Sequence, residues 1–379
     1  MTEKEYFINA ATLRVGGAKS VAVNFIKVLG ENFGELNFIA VVPDDKLFRN
    51  LIFDNIKLHF VPSFFHNLTM RLALDYWILK ILKKTNANKV FNMGNTALPT
   101  KKYKQITLFH FPYAIYPESK VWKQMKIKDL IISRLMVFLF KKRLKYSDYF
   151  LAQTNTAKNR LIKLYGLDSD KIFIAPNAVS VDNLQKEIVY DKNIEQATNN
   201  DKSYKCLCLS VYYSHKNIES LIEVAELIKK QNLDIKIYIT LDESENLQAK
   251  KIINLISERQ IQDILINLGR IPMENIGYLY SRIEALLLPT ILESFSGTYI
   301  ESMFFKKKII TSDMDFAREV CHYNSWFFDP FNPEDILEKI KESMNSNNTQ
   351  NAELAYQEVL KMPDWNKTGE LIMNSINRI

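Results

Sequence analysis

The sequence predicts an α/β protein with two doubly wound parallel-sheet domains. Short apolar segments typical of buried strands alternate with amphipathic helical segments, and this alternation occurs twice along the chain. A polar segment rich in Asn and Asp separates the two runs. With 379 residues, the chain is also long for a single hydrophobic core. We therefore predict domains over 1–185 and 205–363, joined by a linker over 186–204.

The strands are predicted from short apolar or alternating segments that end at turn residues. In the first domain they are 6–11, 38–42, 57–61, 89–93, 105–109, 149–153 and 171–175. In the second domain they are 206–211, 236–240, 264–268, 285–288, 308–311 and 326–328. Ligands of such sheets bind beyond the carboxyl ends of the strands, so loops that follow strands are the candidate sites.

The helices are predicted from apolar residues spaced three or four apart. In the first domain, Val21, Phe25 and Val28 share one helix face, and further helices cover 72–84 and 129–146. The helix that follows the first strand of the second domain has apolar positions at Ile218, Leu221, Ile222, Ala225 and Ile228.

The composition is that of a globular protein. Apolar residues make up 47%, whereas Gly (10) and Pro (11) are scarce, which argues against disorder. The three cysteines form neither a disulfide framework nor a zinc-binding spacing, which fits a reducing compartment. The first residues do not resemble a signal peptide, and no apolar run is long enough to span a bilayer. We therefore expect a cytoplasmic protein.

Positive charge is concentrated in one part of the chain. The net charge is +7, and residues 101–145 contain twelve Lys or Arg but only two acidic residues. A cationic amphipathic helix in this stretch could bind the anionic inner face of the cell membrane. The alternative is a core helix with solvated ends. We do not expect nucleic-acid binding, because no recognition motif is visible.

The segment from Glu293 to Glu301 is the strongest candidate site. It follows an apolar strand and contains the small residues Ser296, Gly297 and Thr298 before a predicted helix. A helix start after a strand binds anions through free N–H groups and the helix dipole. Carboxylates on each side could hold the hydroxyl groups of a sugar nucleotide. Alternatively, Thr298 and Glu301 form a capping box, and Glu293 is a solvated loop residue.

Two other loops follow strands and carry suggestive residues. Gly16 and Gly17 would let a ligand approach the backbone closely, although a plain tight turn is the alternative. They do not form a GxGxxG fingerprint, so a nicotinamide dehydrogenase is not supported. His215 and Lys216 precede a helix, where a bound diphosphate would make the lysine favourable. Lys216 could also be an exposed loop residue.

Two motifs have a structural and a functional interpretation. His110 lies between aromatic residues, which favours packing, but it follows a strand, which favours a site. Asp313 and Asp315 form a D-x-D pattern with no evident third ligand. We interpret this pattern as a loop and predict no metal site.

Several segments together resemble the family 4 glycosyltransferases, which have the two-domain GT-B fold. Residues 293–301 are similar to the E-x7-E motif of that family. The preceding run from Leu268 to Thr290, the PNAV segment at 176–179 and the FFDP segment at 327–330 are also similar, in the same order. The resemblance implies a retaining glycosyltransferase with two domains facing a cleft. It also implies that helix 364–379 returns to the first domain.

The resemblance implies a role for each candidate residue. Glu301 would bind the ribose hydroxyls of a nucleotide sugar, and Glu293 would contact the sugar ring. The backbone N–H groups of Gly297, Thr298 and Tyr299, which follow Ser296, would hold the diphosphate. The side chain of Lys216 would neutralise its charge. In the first domain, Gly16 and Gly17 would lie close to the donor or acceptor, and His110 would face the donor sugar.

The sequence departs from the family pattern at one important position. Ser210 and Val211 stand where the family commonly has Gly-Arg, so one phosphate-binding charge is missing. His215 or Arg270 could compensate. The predicted reaction is metal-independent transfer of a hexose from a nucleotide sugar to a glycan or lipid-linked acceptor, with no cofactor. The rival functions are a nucleotide-sugar binding subunit without turnover, an epimerase and a phosphorylase.

Overall fold

The computed structural model describes residues 5–66, 70–178, 188–199, 202–244 and 247–379. The chain forms two compact units: the first comprises 1–117, 127–178 and 363–379, and the second comprises 118–126 and 179–362. Segment 118–126, which we had assigned to the first domain, therefore belongs to the second unit. Each unit contains one sheet, so the predicted architecture of two parallel-sheet domains is confirmed.

The sheet of the first unit has seven parallel strands in the order β3-β2-β1-β4-β5-β6-β7. Every neighbouring pair is parallel, so these strands are joined by crossover connections rather than by tight hairpins. The strands are β1 Glu5–Asn9, β2 Asn37–Pro43, β3 Ile56–Val61, β4 Lys89–Asn92, β5 Lys104–Phe109, β6 Tyr149–Ala152 and β7 Ile172–Ile174.

The sheet of the second unit has six parallel strands in the order β10-β9-β8-β11-β12-β13. The strands are β8 Tyr204–Cys208, β9 Ile235–Ile239, β10 Leu265–Asn267, β11 Ala285–Leu288, β12 Lys308–Ser312 and β13 Ser325–Phe328. Strand β8 lies between β9 and β11, so the strand order reverses there. The loops after β8 and β11 consequently meet at one edge of the sheet, where ligands of such folds bind.

Helices flank both sheets. Those of the first unit are α1 Gly16–Asn32, α2 Lys46–Arg49, α3 Arg71–Leu82, α5 Ile127–Arg143, α6 Asn155–Tyr165 and α15 Trp365–Asn377. Those of the second unit are α4 Val121–Gln124, α7 Lys192–Thr198, α8 Ser220–Lys230, α9 Leu247–Glu258, α10 Ile276–Ser281, α11 Gly297–Phe304, α12 Asp315–Val320, α13 Pro333–Asn345 and α14 Thr349–Lys361. Within the described ranges, no helix is both long and apolar enough to cross a bilayer.

The C-terminal helix α15 packs on the first unit. Ile372, Met373 and Ile376 lie in the core cluster that also contains residues of β1 and α1. Gly369 lets α15 approach α1 closely, because a Cβ atom at that position would lie 2.5 Å from Cγ1 of Val28. The side chain of Asp364 caps the helix by accepting a hydrogen bond from the backbone N–H of Lys367.

The predicted linker contains helix α7, which the sequence analysis missed. Asp191 caps it by accepting hydrogen bonds from the N–H groups of Asn193 and Ile194. The side chain of Ile194 is buried among Tyr238 and Tyr280. One cap and one apolar anchor therefore order this polar segment against the second unit, and local polarity alone does not reveal that tertiary contact.

Candidate functional site

The loop after β8 and the loop after β11 are hydrogen-bonded to each other. The backbone carbonyl of His215 accepts from the N–H of Ile291 at 2.8 Å and from Oγ1 of Thr290 at 3.1 Å. His215 lies in a 3-10 turn over Ser214–Lys216, and Thr290 and Ile291 follow β11. These bonds bring the Lys216 loop and the Glu293 loop together at the carboxyl edge of the sheet.

Lys216 and Glu293 form an ion pair between these two loops. The Nζ atom of Lys216 donates a hydrogen bond to Oε1 of Glu293. The side chains are only 18% and 12% exposed, respectively, so water screens this pair less than a surface pair. The two residues are far apart in sequence, and both had been predicted as site residues. Glu293 is therefore not the solvated loop residue of the alternative interpretation.

Helix α11 begins beside this ion pair. It starts at Gly297, with Ser296 at the N-cap position, and its first turn contains no acidic residue. The N–H groups of Gly297, Thr298 and Tyr299 have no acceptor within the helix, since they belong to its first turn. A Cβ atom at Gly297 would meet no atom within 4 Å, so this helix start is open. The geometry is suited to an anion.

The side chains around this helix start stabilise the turn. Oγ of Ser296 and Oγ1 of Thr298 are 2.9 Å apart and hydrogen-bonded. The side chain of Tyr299 points into the core, where its hydroxyl group contacts Oγ1 of Thr311 at 2.7 Å. Tyr299 therefore offers a ligand its backbone N–H group, while its ring anchors the helix to β12.

Glu301 is held by a tyrosine that the sequence analysis missed. The hydroxyl of Tyr280 donates to Oε2 of Glu301 at 3.2 Å. The capping-box alternative is wrong, because the helix starts at Gly297 and its third residue is Tyr299 rather than Glu301. Burial raises the pKa of Glu301, and the bond from Tyr280 opposes that shift. Tyr280 lies in α10, and only the fold brings it beside α11.

The charge missing at Val211 is not replaced by His215. Val211 is exposed and apolar. The imidazole ring of His215 stacks on Tyr213, with ring centroids 5.4 Å apart. Burial, aided by the charge of Lys216, lowers the pKa of His215 to about 3, so this side chain is neutral near pH 7. Lys216 is thus the cation that these loops bring beside the start of α11.

The D-x-D pattern after β12 forms ion-pair and backbone contacts. Nε and Nη2 of Arg318 donate to the two carboxylate oxygens of Asp313 at 2.5 and 2.8 Å. Oδ1 of Asp315 accepts from the N–H of Phe316 in the first turn of α12. Within the described ranges, no cluster of three or more His, Cys, Asp or Glu residues is arranged to hold a metal ion.

In the first unit, the two glycines lie where α1 begins. Gly16 has a φ of 67°, a left-handed conformation that favours glycine, and it is the first residue of α1. A Cβ atom at Gly17 would meet nothing within 4 Å. The plain-turn interpretation accounts for Gly16. The open space at Gly17 shows that no neighbouring protein atom requires a glycine there.

His110 follows β5, and a hydrogen bond from its backbone N–H group fixes its position. Its N–H donates to Oδ1 of Asn95 at 2.7 Å, and Asn95 itself has a φ of 65°. Burial lowers the pKa of His110 to about 4, so the ring is neutral near pH 7. Its Nδ1 atom is buried and has no hydrogen-bond partner among the described residues. An unpaired buried polar atom is unusual, and a catalytic or binding role is one of the explanations for it.

A buried amide ladder that the sequence analysis did not find lies beside this region. Nδ2 of Asn9 donates to Asn92 at 2.9 Å, and Nδ2 of Asn92 donates to Gln105 at 3.1 Å. The side-chain Oε1 of Gln105 also accepts a hydrogen bond from the backbone N–H of Leu98. These side chains link β1, β4 and β5 and order the loop after β4. They are far apart in sequence, so no spacing pattern reveals them.

Two family models match the chain. Residues 15–183 match the model described as Glycosyltransferase Family 4, and residues 189–357 match the model described as Glycosyl transferases group 1. The chain belongs to the family 4 glycosyltransferases. The two matched segments together cover most of the chain, and each contains one of the two sheets.

Similar proteins agree with this assignment. The O-antigen chain mannosyltransferase RfbU of Salmonella typhimurium is 25% identical over 258 residues, which cover 68% of this chain and 65% of that protein. The chain thus covers slightly less than two thirds of this relative's length. A mannosylglucosyl-3-phosphoglycerate synthase from Petrotoga mobilis is also 25% identical, over 67% of this chain and 53% of its own length.

A solved structure confirms the fold. The structure of a glycosyltransferase from Rickettsia africae is similar with a TM-score of 0.74 and 20% identity, covering 100% of this chain and 99% of that one. This likeness shows that the chain has the GT-B fold of glycosyltransferases. It does not bear on the individual site residues, which remain predictions.

Proposed function

We propose that this glycosyltransferase moves a hexose from a nucleoside diphosphate sugar to a glycan or lipid-linked acceptor, with retention of anomeric configuration and without a metal. The observation that carries the proposal is the convergence of Lys216, Glu293 and the open start of α11 at one edge of the second sheet. A cation, a carboxylate and free N–H groups together suit a diphosphate attached to a sugar.

The diphosphate is assigned to the start of α11. Its terminal oxygens gain negative charge as the bond to the anomeric carbon breaks, so positive groups there stabilise the transition state more than the ground state. Within the protein, Lys216 pairs with Glu293. A bound diphosphate would share that lysine, and the Glu293 carboxylate would then be available to a sugar hydroxyl.

The nucleotide ribose is assigned to Glu301. Its carboxylate is partly buried, and the hydroxyl of Tyr280 fixes one of its oxygens. A carboxylate held in this way can accept hydrogen bonds from two neighbouring hydroxyl groups. Because burial raises its pKa, a hydroxyl-rich ligand that replaces lost hydration would favour the ionised form.

Retention is proposed through attack on the face that the diphosphate leaves. The bond from the anomeric carbon to the phosphate oxygen breaks, the bond to the acceptor oxygen forms, and the acceptor proton passes to the departing phosphate. The transition state resembles an oxocarbenium ion, as in glycoside hydrolysis. The pairing of Glu293 with Lys216 supports a positioning role for this carboxylate rather than a nucleophilic one. The role of His110 toward the donor stays a prediction.

Membrane association is proposed through helix α5. The side chains of Ile127, Ile131, Leu135 and Phe138 are exposed and recur at spacings of three and four, so they form one apolar stripe. Of the apolar residues of this helix, only Phe140 is buried, so the core-helix alternative does not describe the others. Exposed lysines at both ends, including Lys128, Lys141 and Lys142, suit a membrane surface with anionic lipids.

The test of the donor site is a thermal-shift panel of nucleotides and nucleotide sugars, followed by product analysis by NMR. The relative RfbU is named as a mannosyltransferase, and a fold relative, Anabaena HepE, was solved with UDP and glucose, so the panel includes mannose and glucose nucleotides. We expect one nucleoside diphosphate to stabilise the protein, with activity that persists in EDTA. Binding without transfer to any glycan acceptor would favour the non-catalytic subunit, and change of the donor sugar alone would favour the epimerase.

The test of membrane association is vesicle flotation. We expect co-flotation with anionic vesicles, loss at high salt and loss in the double variant Ile131→Ser/Phe138→Ser. Ile52→Ser is the control, because Ile52 is also apolar and is more exposed than Ile131 and Phe138, but it lies outside α5. Equal flotation of the wild type, the double variant and Ile52→Ser would show that the apolar stripe of α5 does not bind the membrane.

A further inference from the structure

Residues 93–103, all of which the structure describes, connect β4 to β5 without a helix or a strand. We call this segment the β4–β5 crossover. Because β4 and β5 are parallel, the crossover returns from the carboxyl end of β4 to the amino end of β5. Its residues Thr96, Ala97 and Leu98 are buried. Buried backbone outside regular structure needs hydrogen-bond partners from other elements, and those partners determine where the crossover lies.

Gln105 of β5 fixes the middle of the crossover. Its Oε1 atom accepts from the N–H of Leu98 at 2.9 Å, and its Nε2 atom donates to the carbonyls of Leu98 at 3.0 Å and Thr100 at 2.7 Å. Oε1 also accepts from Nδ2 of Asn92, so both lone pairs and both N–H groups of the amide are used. Gln105 is completely buried. A buried amide whose bonds are all made holds the crossover in one position.

Side chains from two helices also bind the crossover. Nη2 of Arg71, in α3, donates to Oγ1 of Thr96 at 2.7 Å. Nη1 of Arg143, in α5, donates to the carbonyl of Ala97 at 3.0 Å. With the bonds from Gln105, each residue from 96 to 98 is hydrogen-bonded to a side chain of another element. The crossover is therefore an irregular segment that the surrounding fold fixes.

Asn95 connects this fixed segment to His110. The Oδ1 atom of Asn95 accepts a hydrogen bond from the backbone N–H of His110 at 2.7 Å. Asn95 has a φ of 65°, and among residues with a side chain Asn and Asp tolerate this left-handed conformation best. Position 95 thus requires both a left-handed backbone and a side-chain acceptor. Glycine meets only the first requirement, whereas Asn and Asp meet both.

The imidazole of His110 has hydrogen-bonding capacity that the protein does not use. Its Nδ1 atom is buried and has no partner in the part of the chain that the structure describes. A neutral imidazole has one donor and one acceptor nitrogen, which suits a hydroxyl group. His110 directly follows β5, at the carboxyl edge of the sheet, where ligands of such folds bind.

We propose that Asn95 is a positioning residue for sugar transfer, because it fixes the backbone of His110 and thereby holds the imidazole against a hydroxyl group of the sugar substrate. The crossover, anchored by Gln105, keeps Asn95 in place. The catalytic part of this inference rests on the proposed transferase function, whereas the link from Asn95 to His110 rests on the hydrogen bonds of the first unit. The alternative is that these bonds only stabilise an irregular segment.

The first experiment follows the His110 ring by NMR in the full chain and needs no substrate. The chain has five histidines, and the His110 signal is the one that disappears in His110→Gln. Asn95→Gly keeps the left-handed backbone but removes the acceptor, so His110 should gain access to water. We expect the pKa of His110 to rise from about 4 toward 6.5, by at least about one pH unit. An unchanged titration of His110 would overturn the proposal.

Asn324→Gly is the matched control. Asn324 also has a left-handed backbone, with a φ of 53°, and its Nδ2 atom donates to the carbonyl of Lys307 at 3.1 Å. It directly precedes β13, at the amino edge of the second sheet, whereas the candidate site lies at the carboxyl edge. The control removes a similar side-chain bond at a similar backbone conformation. It should leave the His110 titration and the turnover unchanged.

The second experiment is a double-mutant cycle on turnover. We expect Asn95→Gly to lower kcat at least about tenfold and to change the KM for the donor much less, because a misplaced group loses its transition-state contact. In a His110→Gln background the same substitution should change kcat less than about twofold, since the residue through which Asn95 acts is gone. An equal fall in both backgrounds would refute positioning through His110.

Asn95→Asp tests the acceptor without the risk of a folding defect. It keeps Oδ1 and tolerates the left-handed backbone, so most of the wild-type turnover should remain near pH 7. A loss as large as that of Asn95→Gly would contradict the role of the Oδ1 acceptor. If Asn95→Gly lowers the melting temperature and leaves the His110 ring unchanged, the crossover is only structural and the proposal fails.

The two experiments also separate this inference from the proposed function. If the wild type transfers sugar but Asn95→Gly alters neither the His110 titration nor kcat, the proposed function stands and the role of Asn95 is refuted. If the wild type transfers no sugar to any acceptor while Asn95→Gly shifts the His110 titration, the proposed function is refuted. Asn95 then remains the residue that holds the imidazole, without a role in transfer.

Discussion

Replacing Lys216 with methionine tests both the ion pair and the leaving-group role. The substitution keeps the apolar stem but leaves the Glu293 carboxylate, whose side chain is only 12% exposed, without its positive partner. Surface pairs contribute up to about 1 kcal/mol, whereas breaking a buried pair costs about 3–5 kcal/mol. For this partly buried pair we expect a loss of about 2 kcal/mol. In a unit of this size that loss lowers the melting temperature by about 4–8 °C.

The effect on transfer is expected to be larger. Removal of one preorganised group that stabilises developing negative charge typically costs about 100- to 1000-fold in turnover. The double variant Lys216→Met/Glu293→Gln separates the two effects. The neutral amide no longer needs a positive partner, so most of the stability should return. Turnover should stay low, because the cation is still missing.

The assays are chemical or thermal unfolding and initial rates at saturating donor. Lys339→Met is the control, because Lys339 forms a more exposed ion pair with Glu342 in the same unit. This control should change stability by less than about 1 kcal/mol and leave turnover unchanged. Near-normal turnover of Lys216→Met would refute the leaving-group role. A double variant no more stable than Lys216→Met would refute the assignment of the stability loss to an unpaired carboxylate.

The other predictions concern Glu301, α1 and the pH dependence of stability. Tyr280→Phe removes the hydroxyl group that donates a hydrogen bond to Glu301. We therefore expect several-fold weaker nucleotide binding by calorimetry and a loss of about 1 kcal/mol in the free energy of unfolding. Unchanged nucleotide binding would contradict the assignment of Glu301 to the nucleotide. In Gly17→Ala the added methyl group contacts no protein atom, so the melting temperature should match that of the wild type. The rate of sugar transfer should fall, and an unchanged rate would show that Gly17 does not line the site. The folded-state pKa of His110 is about 4 and its unfolded value is near 6.5, so the unfolded chain takes up the proton first as the pH falls. The contribution of the neutral imidazole to stability is fully present above pH 6.5, and the free energy of unfolding should fall by up to about 2 kcal/mol by pH 5. The loss should be smaller in His110→Gln. Denaturant unfolding above pH 6.5 and at pH 5 measures the loss, and equal losses in the wild type and the variant would contradict the prediction.

The sequence was sufficient to predict the architecture, because the patterns that identify strands and helices lie within short segments of the chain. Strands such as β11 and helices such as α8 were predicted to within a few residues, since buried apolar runs and helical spacing identify them without tertiary information. Helix α7 was missed because Asp191 and Ile194 act through one cap and one long-range contact. Helix α5 was predicted, but the sequence did not decide whether its apolar residues are buried or exposed, because a core stripe and an exposed stripe have the same spacing.

For the candidate site, the sequence by itself identified Glu293, Glu301 and Lys216 as candidate residues near the ends of strands, and it identified the start of α11 to within two residues. Only the tertiary structure decided which of them touch. The Lys216–Glu293 pair, the Tyr280–Glu301 bond and the ion pair between Arg143 and Asp75 each join residues from separate loops or helices. The neutral state of His215 was likewise decided by burial in the folded chain. The physical reason is that periodicity and capping act within a few residues, whereas charge pairing and desolvation depend on neighbours that only the folded chain supplies.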